Sequence, residues 1–314
     1  MRAAVVDRYG PPEVARVAEL PQPVPGADEV LVRVIAVAVT AGDARIRAGR
    51  FPPGFTVPAR LALGLRGPRR KVLGSSFSGV VEAAGPKVQG LAVGDAVCGM
   101  TGMRMGAHAE LVAVAVRRIV PKPDGVDHDQ AAGLLFGGTT ALHFLRKAAV
   151  GPGTTVLVNG ASGAIGTNAV QLAGNLGAVV TGVTSGANAA LVTGLGAHEI
   201  VDHSTVDLRA SAARYDVVLD AVGNLGIDGG RRLLADGGRL VLAVASLGET
   251  LRARGAVIAG SAPERTEDMS ALLRDVDEGR LTVVLEPPMD LDDIAAAYRR
   301  VDSGHKVGNL VIHP

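Results

Sequence analysis

The 314-residue chain has one cysteine, Cys98, and no tryptophan; its aromatic residues are five Phe and three Tyr. A single cysteine excludes an internal disulfide and a four-cysteine zinc lobe. So few rings offer no stacking platform for nucleic-acid bases. Neither sign of charge is in excess, since 32 Lys and Arg stand against 31 Asp and Glu, a net charge of +1. The chain therefore lacks the basic surplus that draws proteins to phosphate backbones. No apolar run reaches the ~18 residues of a membrane span, and the N-terminus has no basic-then-apolar signal segment. These absences predict a cytoplasmic protein of about two domains, with neither nucleic acid nor membrane as partner.

Glycine is what the chain has in abundance: 42 residues, against a usual share of ~7%. They are interspersed with Val, Leu and Ala and form no low-complexity tract. The first third reads as β-rich, with β-branched segments such as Glu29–Val39 and Gly79–Ala84 between Gly and Pro punctuation. From about Pro121 short apolar runs alternate with helix-length segments. Thr154–Val158, Val179–Val183, Glu199–Val201, Val217–Asp220 and Arg239–Ala243 are such runs, with Ala256–Gly260 a candidate sixth. That alternation predicts βαβ units and a parallel sheet. The tail adds a helix (Glu267–Glu278), a strand (Thr282–Leu285), a second helix (Leu291–Ser303) and a last strand (Leu310–Ile312). The stretch Arg50–Arg70, rich in Gly, Pro and Arg, reads as a mobile or partly disordered loop.

Asn159-Gly160-Ala161-Ser162-Gly163-Ala164-Ile165-Gly166 follows the first of the central apolar runs and opens a helix. A sharp strand-to-helix turn whose N–H groups approach a pyrophosphate needs glycine, and the helix N-terminus attracts the phosphates. This spacing predicts dinucleotide binding. The second run ends in Thr184-Ser185-Gly186-Ala187-Asn188, with no carboxylate to take an adenosine ribose. Small hydroxyls there leave room for a 2′-phosphate, which favours NADPH over NADH, although no Lys or Arg stands nearby to neutralise it.

Several motifs together resemble the zinc-independent quinone oxidoreductase branch of the medium-chain dehydrogenase/reductase superfamily. They are Tyr9-Gly10-Pro11-Pro12-Glu13, Gly79-Val80-Val81-Glu82, Val93-Gly94-Asp95, Gly106-Ala107-His108-Ala109-Glu110, Gly138-Thr139-Thr140-Ala141-Leu142, the Asn159–Gly166 turn, Asp220-Ala221-Val222-Gly223 and Gly304-His305-Lys306 with Gly308. The resemblance implies an α/β protein: a GroES-like β-barrel catalytic domain (1–121, returning at 261–314) and a Rossmann NADP-binding domain (122–260). It further implies a homodimer, with the Ala256–Gly260 edge a candidate for two-fold pairing.

By the same resemblance, cofactor contacts fall on Thr140, Asn159, Gly160, Ser162, Gly163, Ala164, Ile165, Thr184, Ser185, Asn188, His203, Ala221, Val222, Gly223, Ala243, Val244 and Asn309. Thr140 is expected at the nicotinamide ribose or phosphates, Ala221–Gly223 and Ala243–Val244 beside the nicotinamide, and His203 near the adenine. Thr40 and Arg47 are the candidate catalytic residues and Phe51 a wall of the substrate pocket. Thr40-Ala41 replaces the family's Asn-Pro, and Asn309 a common Lys. Where zinc-dependent relatives carry Cys and His ligands, this chain reads Thr40-Ala41-Gly42-Asp43 and Gly74-Ser75-Ser76, so no metal is expected. The implied activity is NADPH-dependent hydride transfer to a quinone or α,β-unsaturated carbonyl. The alternative is a weakly catalytic or non-catalytic NADPH-binding sensor or scaffold.

Overall fold

The central strands form one six-stranded parallel sheet in a computed structural model that describes residues 1–314. Its spatial order is Glu199–Asp202, Val179–Thr184, Thr155–Asn159, Tyr215–Asp220, Leu234–Leu242 and Val257–Ala259. Strand direction explains the sequence texture. Val156, Leu157 and Val158 are all fully buried because helices cover both faces. Val156 and Val158 point into a core shared with helices His128–Lys147, Ala164–Asn175 and Thr266–Asp277, whereas Leu157 packs with Leu225, Ile227 and Leu233 on the other face. The chain order reverses between Thr155–Asn159 and Tyr215–Asp220, and open α/β sheets bind ligands at the carboxyl ends of strands flanking such a point.

The second sheet is mostly antiparallel and joins both chain ends. Glu29–Ala38 is its centre, flanked by Ser76–Ala84 and by Val311–His313, with Leu111–Ala115 also paired to it. Val30, Val32 and Val34 alternate inward onto Leu73, Phe77, Val112, Tyr298 and Leu310, giving this GroES-like domain its own core. Helix His128–Lys147 serves both domains. Its Ala132 packs on Ala36 and Val311 and accepts a hydrogen bond from Ser76 Oγ at 2.6 Å.

Three segments differ from the sequence reading. Within 50–70 the structure has a helix, Thr56–Leu63, rather than a continuous loop. Thr282–Leu285 makes only an isolated bridge, Leu285 to Asn309, because its residues run beside the return segment for one register position. Helix Thr266–Asp277, although it lies in the C-terminal sixty residues, buries Met269, Leu272 and Leu273 in the parallel sheet's core.

Candidate dinucleotide site and domain cleft

Asn159 ends its strand at the point where the order reverses and is 4% exposed. Its amide donates to Asp220 Oδ1 at 2.9 Å and to Asn224 Oδ1 at 2.7 Å. Asp220 is fully buried and accepts further bonds from the backbone N–H of Val222 (3.0 Å), Gly223 (2.9 Å) and Leu225 (3.1 Å). One carboxylate therefore shapes the Ala221–Gly223 turn and ties it to the glycine-rich turn. Ala243 and Val244 stand beside it: Ala243 N–H donates to Asp220 O, and a Cβ on Gly223 would lie 2.9 Å from Val244 Cγ1.

Two glycines of the turn are required by space. Gly160 has φ +84° and a Cβ there would meet Val222 Cγ2 at 2.7 Å; a Cβ on Gly166 would sit 2.0 Å from Gly160 O. Helix Ala164–Asn175 starts at Ala164, with Ile165 in its first turn, and its leading N–H groups have no intrahelical partner. Gly137 allows helix His128–Lys147 to approach, since its Cβ would lie 2.2 Å from Ala164 O. The cradle fits a dinucleotide pyrophosphate by the space it leaves and the donors it presents.

On the adenosine side Ser162 Oγ accepts from Thr184 Oγ1 at 2.9 Å and Asn188 Nδ2 at 3.3 Å, and Asn188 also donates to Ser185 Oγ. The sequence reading missed Asp202, the register partner of Thr184 on the neighbouring strand. Its carboxylate is so close to Gly186 that a Cβ there would stand 2.6 Å from Oδ2. Bonds from Ser204 favour its charged form and hold its pKa below the usual carboxylate range. Asp202 comes from the next strand, so inspection of the loop alone could not find it. His203 lines a cavity of about 480 Å³ with Asn159, Asp207, Leu208, Arg209 and Asn224. Arg209, also missed, donates to Asn224 O at 2.5 Å.

Asn309 lies where the returning chain meets the turn. It is 4% exposed, its N–H donates to Val284 O, and the adjacent Gly308 N–H donates to Ser162 O at 2.8 Å. Lys306 Nζ donates to Gly308 O. Burial pushes this ammonium down to about 8, with Glu286 favouring and Arg300 opposing its charge. Thr140 Oγ1 donates to Phe136 O at 2.7 Å, one turn back in its own helix.

The expected catalytic pair stands differently. Thr40 caps helix Ala41–Ala48: its hydroxyl donates to Asp43 Oδ2 at 2.6 Å, its N–H donates to the same oxygen, and it accepts from Asp43 N–H. Asp43 also accepts from Gly74 N–H at 3.2 Å. Arg47 must be corrected as a cleft residue. It is fully buried, donates to Gly10 O, pairs with Asp302, and lies 5.1 Å from the Tyr298 ring centroid. Helical spacing points it into the barrel core, so its charge serves the fold. The Tyr298 hydroxyl meets His108 Nδ1 at 3.4 Å, and burial raises its pKa well above 10. Phe51 is half-buried with its ring edge-on to Tyr9 at 6.5 Å.

The donor set does not fit a zinc ion. Asp43 and His108 are already hydrogen-bonded, Gly74-Ser75-Ser76 supplies no nitrogen or sulfur ligand, and Cys98 is buried elsewhere with its thiol pushed up to about 12.

Comparison with known proteins agrees with this architecture. An alcohol dehydrogenase GroES-like domain matches residues 26–124, and a zinc-binding dehydrogenase domain matches 195–312. A quinone oxidoreductase of Pseudomonas aeruginosa is 34% identical over 68% of this chain and 64% of its own length. An NADPH-dependent alkenal/one oxidoreductase of Arabidopsis thaliana is 26% identical over 100% of this chain and 80% of its own. The quinone oxidoreductase structure from Coxiella burnetii superposes with a TM-score of 0.89 at 28% identity, covering 100% of this chain and 99% of that one. The chain belongs to the medium-chain dehydrogenase/reductase superfamily as a quinone oxidoreductase-like protein. It is an oxidoreductase by family.

The Arg47 assignment is open to direct measurement. Asp302→Ala should leave the buried guanidinium without its anion and lower urea-unfolding stability by about 3 kcal/mol. Unchanged stability would mean that the Asp302 pairing contributes nothing to holding Arg47 in the fold.

Proposed function

We propose that this chain transfers hydride from NADPH to a small quinone or α,β-unsaturated carbonyl, without a metal. The observation that carries this reading is the Asp220–Asn159 hub at the sheet's switch point, which ties the Ala221–Gly223 turn to the glycine-rich turn. A bound nicotinamide supplies the hydride and its electron pair. The chain's part is to fix that ring: Ala221–Gly223 and Ala243–Val244 border it, the Gly160–Ile165 turn takes the phosphates, and Thr140 and Asn309 flank them. Thr184, Ser185 and Asn188 face the adenosine end, and His203 lines the adenine side. Phe51 walls the substrate pocket. Thr40 has given its hydroxyl to Asp43, so it orients the cleft more than it polarises a carbonyl. Hydride addition at an enone β-carbon suits such a site, because the enolate can then take its proton from water.

A second reading, a dinucleotide-binding redox sensor with little turnover, is favoured by that commitment of Thr40 to Asp43. Cofactor choice has two supports of opposite direction. The hydroxyl cluster and the NADPH-dependent relative favour NADPH, while the Asp202 carboxylate beside Gly186 favours NADH. We further propose a homodimer in which the Val257–Ala259 edge strands pair, closing an otherwise open sheet edge.

With deuteride-labelled cofactor and a simple enone, label should appear at the β-carbon. Label at the carbonyl carbon would make the protein a carbonyl reductase, and tight binding with no turnover on any quinone or enone would favour the sensor. Asp202→Asn should improve the NADPH-to-NADH affinity ratio by about fivefold, roughly 1 kcal/mol of relieved repulsion. An unchanged ratio would remove Asp202 from the 2′-phosphate's surroundings. Lys306 gives a pH signature. Its amine is neutral above about 8 in the free protein, whereas cofactor phosphates favour the charged form. Dinucleotide affinity should therefore fall as pH rises past 8, and Lys306→Met should flatten that profile; a flat wild-type profile would separate Lys306 from the phosphates.

A further inference from the structure

Between Asp43 and Glu82 the chain carries no acidic residue at all, yet it holds Arg45, Arg47, Arg50, Arg60, Arg66, Arg69, Arg70 and Lys71. The remainder has 24 Lys and Arg against 31 Asp and Glu, so the molecule is polarised: this one segment is basic and the rest is acidic. Arg47 is buried, but Arg60, Arg66, Arg69, Arg70 and Lys71 are exposed. Arg69, Arg70 and Lys71 line a cavity of about 420 Å³ together with Arg104. Glu29 pairs with Arg104 and Asp7 with Lys71, while Arg66 and Arg70 have no acidic partner.

The same segment exposes apolar side chains. Helix Thr56–Leu63 buries none of its residues; Val57 is 69% exposed, Leu61 59%, and Leu65, just beyond it, 64%. Spacing of four places Val57 and Leu61 on one outward face, with Ala59 and Leu63 half-buried behind. Apolar residues flanked by arginines form the pattern of an element lying in a lipid interface, its apolar face among acyl chains and its cations at anionic headgroups. No helix here is long and apolar enough to cross a membrane, so such contact is peripheral, and it departs from the expectation, drawn from the absence of a span, that no membrane is a partner.

Position links this face to the cleft. Pro53 O accepts from Leu247 N–H at 2.9 Å, and Gly54 packs so closely on Leu247 that a Cβ would lie 2.8 Å from its Cβ. Leu247 follows Val244, which borders the Ala221–Gly223 turn. The chain just before the basic, apolar segment is thus tied to the loop that continues from Val244.

We propose that the 56–71 face docks on an anionic bilayer surface. Charge complementarity carries the choice of partner together with the exposed apolar stripe, which a purely ionic partner would leave in water. For an enzyme of the proposed kind, an apolar quinone or enone could then pass from the bilayer to the cleft; that extension rests on the reductase reading, whereas docking does not.

Co-sedimentation tests docking without turnover. Vesicles of phosphatidylcholine with about a third phosphatidylglycerol should bring down the protein at low salt, phosphatidylcholine alone should not, and binding should fall as salt is raised. Arg66→Gln with Arg70→Gln should weaken binding about 25-fold, roughly fivefold for each cation removed. Val57→Ser with Leu61→Ser should weaken it at least tenfold. These side chains are exposed, and an unchanged melting temperature serves as the folding control. Absence of sedimentation with the anionic vesicles would overturn the proposal. So would sedimentation that the serine pair leaves unchanged, which marks an ionic surface suited to an acidic protein instead. If docking fails while enone reduction persists, the reductase reading stands alone.

Discussion

A fully buried carboxylate at the carboxyl edge of the parallel sheet is the constraint on which the site depends. A buried carboxyl group without partners would be costly, and four N–H donors converge on Asp220. Those donors come from Asn159 and from the turn at Val222, Gly223 and Leu225. The requirement to satisfy one buried carboxyl group thus fixes the mutual position of two turns from different βα units. The glycine-rich turn then packs against Val222, and the cradle between them has no room for a side chain at Gly160. Chemistry at this edge follows from that geometry, since a nicotinamide needs placement more than it needs a strong acid.

The barrel domain contains a parallel arrangement with a different result. Asp43 gathers Thr40 and Gly74, and Arg47 gathers Gly10, Asp302 and the face of Tyr298. Both charged groups are buried and largely satisfied by the barrel itself, although Arg47 Nε has no acceptor. These groups keep helix Ala41–Ala48 fixed against the sheet and leave little free polar chemistry in that wall of the cleft. The proposed activity accordingly places its burden on positioning.

Much of this was legible in the sequence because the strongest signals are local. The strand–glycine turn–helix at Thr155–Asn175, the alternation of apolar runs and the β-rich start each depend on residues close in the chain. Ser162, Thr184, Ser185 and Asn188 come from two separate segments, and the fold brings them into one hydrogen-bonded cluster. Groups that act across strands were hidden. Asp202 reaches the Thr184 loop from the neighbouring strand, Lys306 reaches the Gly308 carbonyl beside the phosphate turn, and Arg209 lines the cavity from a loop with no motif. Arg47 lies outside the cleft for the converse reason: the resemblance places it among the catalytic candidates, while the partners that bury it, Tyr298 and Asp302, lie some 250 residues away in the chain.

The most direct test of the account is calorimetric titration of the purified protein with NADPH and NADH, set beside the same titration of Asp220→Asn. An asparagine keeps the volume but places an N–H where the carboxylate accepted, opposite donors such as Leu225 N–H. The account predicts saturable binding of at least one dinucleotide form by the native chain, weakened tenfold or more in a variant that still folds. Failure of the native chain to bind either dinucleotide, or equal affinity in the folded variant, would contradict it.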